Sequence, residues 1–66
     1  MNIDDIEVGI VTYYISGDME NGYMGGKPYI CHESINRKIK RITDTHIICE
    51  CDRKFIRNDS LLIVQI

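Results

Sequence analysis

The last third of the chain constrains its fold most tightly. From Ile42 to Ile66 it reads ITDTHIICECDRKFIRNDSLLIVQI, short apolar runs separated by polar breaks. His46 to Cys51 alternates as a strand does, with Ile47, Cys49 and Cys51 on one face and His46, Ile48 and Glu50 on the other. Asp44-Thr45 and Asp52-Arg53-Lys54 have turn composition. Phe55-Ile56 is a short strand, Arg57 to Ser60 a single 3₁₀-type turn, and Leu61 to Ile66 a closing strand. Short strands punctuated in this way specify a small antiparallel β-barrel or sandwich.

The apolar residues agree. The 66 residues include thirteen Ile, two Leu and no Ala. Ile is β-branched and favours strands, whereas Ala and Leu are the strongest helix formers. The same bias follows AT-rich codons and points to a gene of an AT-rich bacterium or of a phage that infects one.

Upstream the pattern is looser. Met1 to Glu7 is an acidic lead-in or one helical turn. Val8 to Ile15 is the expected first strand, apolar on both faces, with Gly9 marking a bulge or a close backbone approach. Ser16 to Pro28 holds four of the five glycines and the only proline. It is either a long loop or a hairpin in which Asn21-Gly22 supplies a type I′ turn and residues 13–20 pair with 23–30. Tyr29 to Cys31 begins another strand. In Ser34 to Thr43, Ile35, Ile39 and Ile42 have helical spacing and Ser34 could cap. All three are β-branched, so a strand with a bulge near Arg41 is preferred over a short helix at 34–43. The expected core is Ile10, Tyr14, Ile39, Ile47, Cys49, Cys51, Phe55, Leu62 and Val64.

This order of parts resembles the SH3-like barrel: a long loop after the first strand (Ser16–Pro28), a tight turn between middle strands (Asp44-Thr45), and a one-turn 3₁₀ helix before the last strand (Arg57–Ser60). The resemblance implies an all-β, mainly antiparallel barrel of about five strands. It does not imply binding of proline-rich peptides, because the chain has no Trp and carries Ile56-Arg57 where those domains have proline before the 3₁₀ turn.

Residues 1–66 are expected to form one small domain. A chain of this size buries only about 60% of its unfolded surface, so a homodimer is a plausible source of extra stability. Residues 1–15 have three acids and no positive n-region, and no apolar run approaches the roughly 18 residues of a membrane helix. Three cysteines with no export signal suggest reduced thiols in the cytoplasm of a bacterial host.

Four chemistries bear on the site. Cys31, His32, His46, Cys49 and Cys51 are candidate zinc ligands, but Cys49 and Cys51 sit two apart on a strand, roughly 6.5–7 Å along the backbone, rather than on a metal-binding turn. No metal or other cofactor is therefore expected. Cys31-His32 is too weak a signal for a nucleophile, since strand neighbours point to opposite faces; no Ser-His-Asp set, phosphate loop or HExxH is apparent in the sequence, and the expectation is a protein that is not an enzyme. Arg37, Lys38, Lys40 and Arg41, with Arg53, Lys54 and Arg57, could form a nucleic-acid patch flanked by Tyr13, Tyr14, Tyr23, Tyr29 and Phe55. A net charge of −2 and a pI near 5.5 count against it. A protein-binding module needs only a rigid scaffold. Met19, Tyr23 and Met24 would be its anchors, with Asp18 and Glu20 as rim. In size, residue bias and missing chemistry the chain resembles the small early proteins with which phages bind and block host enzymes or defence systems. The expected function is thus a host-protein binder and inhibitor, with nucleic-acid binding and a zinc mini-domain as alternatives.

Overall fold

In the computed structural model, which describes residues 3–66 (backbone alone at residue 21), the chain is almost entirely antiparallel strand. A 3₁₀ turn spans Ile3–Asp5. Five strands follow: β1 (Thr12–Met24), β2 (Lys27–Ile42), β3 (His46–Cys49), β4 (Lys54–Ile56) and β5 (Leu62–Gln65). Met1 and Asn2, the first residues of the expected lead-in, lie outside the described residues.

The strands close into a ring. β1 pairs with β2 along almost its whole length, β2 with β3, β3 with β4, and β4 returns to β1 through Met19↔Phe55 and Glu20↔Lys54. β5 lies beside the first half of β1, from Tyr13↔Gln65 to Ser16↔Leu62. The second edge of β1 is therefore shared in series by β5 and β4. A straight 16-residue strand would span about 50 Å, yet the molecule is 36 Å in its longest dimension. β2 must bend, and it does so where its register with β3 shifts between Ile39 and Arg41. That bulge gives residues 34–43 as strand rather than helix, and lets Ile39 and Ile42 both meet β3.

Eight side chains form the core: Tyr13, Ile15, Met19, Ile39, Ile47, Cys49, Phe55 and Ile63. Fully burying an aliphatic or aromatic side chain of this size is worth about 1.5–3 kcal/mol, so each is a large part of a small domain's stability. Tyr13 is buried with its hydroxyl accepting the Glu7 N–H at 2.9 Å. A second bond, Gly9 N–H to the Ile39 carbonyl at 2.8 Å, ties the N-terminal segment to β2. Gly9 sits in a turn with φ +77°, so its backbone approach is real although the strand begins only at Thr12 and not at Val8. Gly17 faces inward between Ile15 and Met19. A Cβ there would lie 3.2 Å from the Leu61 Cα, so a side chain at this position would push the 57–61 turn outward by a few tenths of an ångström.

The expected core needs correction at five positions. Ile10 is in the N-terminal turn and exposed; Tyr14, Leu62 and Val64 point outward from β1 and β5; Cys51 is exposed in the turn after β3. Tyr13 and Tyr14 are both aromatic, and Leu61 to Val64 are all apolar, so neither segment contains the polar residues that fix strand phase. Cys51 left the core because β3 ends at Cys49. The chain there turns through Cys49–Arg53, with Asp52 N–H bonded to the Cys49 carbonyl and Asp52 at φ +67°.

Of the loop and hairpin alternatives for this segment, the structure forms a hairpin, but with another turn and register: residues 13–20 pair with 30–37 rather than 23–30. Met24 pairs with Lys27, and Gly25-Gly26, both at positive φ, form the two-residue connection. Asn21-Gly22 instead marks a bulge between Glu20 and Tyr23. The turn before β5 is an Asx-type turn: Ser60 N–H donates to Asn58 Oδ1 at 3.0 Å and Leu61 N–H to the Asn58 carbonyl at 3.1 Å.

Two substitutions test the end of β3. Cys49→Asp should abolish the cooperative thermal transition, since an unpaired buried carboxylate costs several kcal/mol. Cys51→Asp, two residues on, should leave the melting temperature within a few degrees. Equal destabilisation by both would place the strand end beyond Cys51. In the same turn, Asp52→Gly should raise the chemical-denaturation midpoint, because relief of the left-handed backbone outweighs an exposed ion pair with Lys40.

Candidate functional site

The hairpin carries Tyr23, the most exposed large apolar side chain of the described residues, with Met24 beside it. Beyond Glu20, β1 and β2 leave the ring and pair only with each other. Register places Tyr23 and Pro28 on the same outward face as Glu20 and Ile30, while Met24 and Lys27 continue the face that is inward lower down. Tyr23 is 77% and Met24 67% exposed, with Tyr29 and Ile30 each about two-fifths exposed. Met19 must be removed from the expected contact set: it is 3% exposed, part of the core, and packed opposite Phe55. Met19 thus folds back on the core, whereas Tyr23 and Met24 stand free of it.

The acids at the base of the hairpin are engaged. Asp18 accepts from Asn58 Nδ2 at 3.0 Å and lies 3.7 Å from His32 Nδ1. Glu20 Oε1 lies 3.1 Å from His46 Nε2. That nitrogen is cut off from water and has no aligned hydrogen-bond partner among the described residues. Both acids thus anchor the hairpin to the barrel as much as they rim its tip.

On the outer face of β1 and β2, cross-strand neighbours form a polar cluster. Ser16 Oγ is 2.9 Å from Ser34 Oγ and 3.3 Å from His32 Nε2. Hydrogen bonds from Ser34, then Ser16, hold the Tyr14 phenol below its ordinary range. An Asp18–His32–Ser16 chain of this kind is not apparent in the sequence, because its members lie on two strands. It sits on a sheet face whose Ser16 and Ser34 backbones belong to the strand ladder, so the neighbouring amides are committed to strands rather than turned toward a reacting oxygen.

The basic residues do not gather into one patch. Lys38 is on the β1–β2 layer opposite Thr12, whereas Arg41 and Lys54 flank Ile48 on the β2–β3–β4 layer. Acids are interleaved with them: Lys40 Nζ is 2.9 Å from Asp52, Arg53 is 3.6 Å from Glu33, and Lys54 is paired in register with Glu20. Arg57 donates to the Thr43 carbonyl and Arg37 to the Asn36 carbonyl. The Lys40 hydrogen bond and charge hold Asp52 below the usual carboxylate range.

The five candidate metal ligands are dispersed. Cys49 is buried, Cys51 is exposed in a turn, Cys31 is half-buried on β2, His32 bonds Ser16 and His46 bonds Thr45. Among the described residues no three His, Cys, Asp or Glu side chains converge as a metal site would require. No helix of the described residues is long and apolar enough to cross a membrane.

Compared with known proteins, the chain matches no family model, no curated protein and no solved structure.

Burial, with the nearby Cys51 charge second, pushes the Cys49 thiol from about 9 up to about 11. A thiol whose pKa is raised on folding stabilises the fold below its unfolded value and loses that contribution as pH rises through its folded value. The melting temperature should therefore fall between pH 9 and about 11, and fall less steeply in Cys49→Ala. In a thiol-exchange assay at neutral pH Cys51 should react at once, and Cys49 only as fast as the protein opens. Rapid titration of all three thiols in the folded protein would refute the burial of Cys49.

Proposed function

We propose that the protein is a non-catalytic protein-binding module on an SH3-like barrel, made by a phage or other mobile element to bind and inhibit a host enzyme or defence protein. The observation that carries the reading is the projecting hairpin with Tyr23 and Met24 uncovered at its tip. Exposed apolar side chains on a rigid element are costly to solubility and are retained where they make contact. Tyr and Met are well suited to such contact. Tyr supplies a large amphipathic surface, and Met adapts its shape to a partner. Tyr29 and Ile30, at the same end, widen the contact, and the acids Asp18 and Glu20 stand at its base.

The order of elements supports the SH3-like description: a long hairpin, a turn at 43–45, a tight turn at 50–53, and an Asx turn before the last strand. The host and the target rest on the resemblance drawn from size and residue bias. The interleaving of acids among the bases favours this reading over nucleic-acid binding, because counter-charges already occupy Lys40 and Arg53.

The test is capture of partners from a bacterial lysate by the tagged protein, with and without nuclease. One stoichiometric protein should remain after nuclease treatment. Tyr23→Ala with Met24→Ala should weaken its binding by about 30-fold or more, the loss expected from hot-spot anchors, with the melting temperature unchanged. Capture that disappears with nuclease, or that Arg41→Glu and Lys54→Glu abolish while Tyr23→Ala does not, would overturn the proposal.

A further inference from the structure

Besides the outer edge of β1 beyond Glu20 in the hairpin, the described residues leave two lengths of sheet edge without a pairing strand, and they are built differently. The first is the outer edge of β2 from Lys27 to Arg37, which has β1 on one side only. It is guarded by Lys27, Pro28, Glu33 and Arg37, the charges and proline by which sheet edges avoid unwanted pairing. The second is β5, which pairs with β1 alone. The segment from Leu61 to Ile66 around it has no charged side chain, no proline and no bulge. Leu62, Val64 and Ile66 are about half to two-thirds exposed, and Tyr14, the register partner of Val64, extends the same apolar face.

We propose that β5 pairs antiparallel with β5 of a second copy of this chain, around a two-fold axis at Val64. Side chains that face each other across strands must lie on one face of the sheet. Pairing about Val64 satisfies this, setting Val64 against itself and Leu62 against Ile66 of the second copy. The three-stranded layers β2–β1–β5 then join into one six-stranded layer. The occupant follows from charge: the edge has no charged side chain and the pairing sets the Ile66 carboxylates at opposite ends, so two copies bring no like charges together, whereas other faces carry unequal acids and bases in a chain of net charge −2. Leu62, Val64 and Ile66, with Tyr14 beside Val64, form one exposed apolar strip. Joining the two edges buries a short backbone ladder and the flanks of these side chains while their outer face stays open to solvent, which is below the usual size of a specific interface and corresponds to a weak dimer. The axis lies at the opposite end of β1 from the Gly25-Gly26 turn, so both hairpin tips stay free and point away from each other. The inference does not depend on what the tip binds.

Sedimentation equilibrium of the full chain tests it. The wild type should pass from monomer towards dimer between about 10 µM and about 1 mM. Val64→Lys puts two ammonium groups face to face at the axis and should raise the dissociation constant at least 10-fold; Leu62→Lys should act in the same direction. Both positions are exposed, so circular dichroism should be unchanged, and Tyr23→Ala should dimerise like the wild type. A wild type that is monomeric throughout, growth beyond the dimer, or a dimer untouched by both lysines would overturn the proposal.

Discussion

The structure depends on the return of β4 to β1. Met19↔Phe55 and Glu20↔Lys54 are the only two pairs that close the ring among the described residues, and both apolar members are buried. Without them, β1–β2–β5 would be a flat layer with one apolar face in water, and β3–β4 a short hairpin attached to its corner. With them, eight side chains share one interior. The same closure explains the length of β1. A strand that must hold β5 at residues 13–16 and β4 at residues 19–20 on one edge cannot be short, and the chain beyond the second contact has no further layer to cover it. The projecting hairpin is thus a geometric result of closing so small a ring.

That geometry separates the work of the two ends. At the β5 end the N-terminal segment is tied down by the Glu7–Tyr13 and Gly9–Ile39 bonds, and Gly17 lets the 57–61 turn seat against β1. At the hairpin end the backbone is held only by its own ladder, with Glu20–His46 and Asp18–Asn58 bracing its base. The buried core resides in the ring, while the exposed Tyr23 and Met24 are carried on the hairpin beyond it. This division lets a small domain present Tyr23 and Met24 without exposing its core.

Strand phase was legible wherever polar residues interrupted the apolar ones. His46 and Glu50 fixed the phase of β3, so Ile47 and Cys49 were assigned inward correctly; Ile39 and Phe55 followed. In VTYYIS and LLIVQI adjacent residues are equally apolar, and a one-residue shift moves every side chain to the other face. Tyr14, Leu62 and Val64 therefore lie on the face opposite the expected one. The hairpin turn was misread because Asn21-Gly22 and Gly25-Gly26 both satisfy type I′ chemistry; the register with β2, a long-range property, selects the second. Of the candidate contact residues, Tyr23 and Met24 remain at the surface, and Met19 could be assigned to the core only once Phe55 was seen opposite it. The His32–Ser16 cluster and the neutral β5 edge depend on which strands are neighbours, and local sequence carries no signal for that.

The most direct test is a nuclear Overhauser map of the free protein in solution. The account predicts contacts between Met19 and Phe55 across β1 and β4, backbone contacts between Met24 and Lys27, and none from the Tyr23 ring or the Met24 methyl to Ile15, Ile39, Ile47 or Ile63. Contacts from Tyr23 or Met24 to those core residues, or the absence of the Met19–Phe55 contact, would contradict a closed ring with an uncovered hairpin.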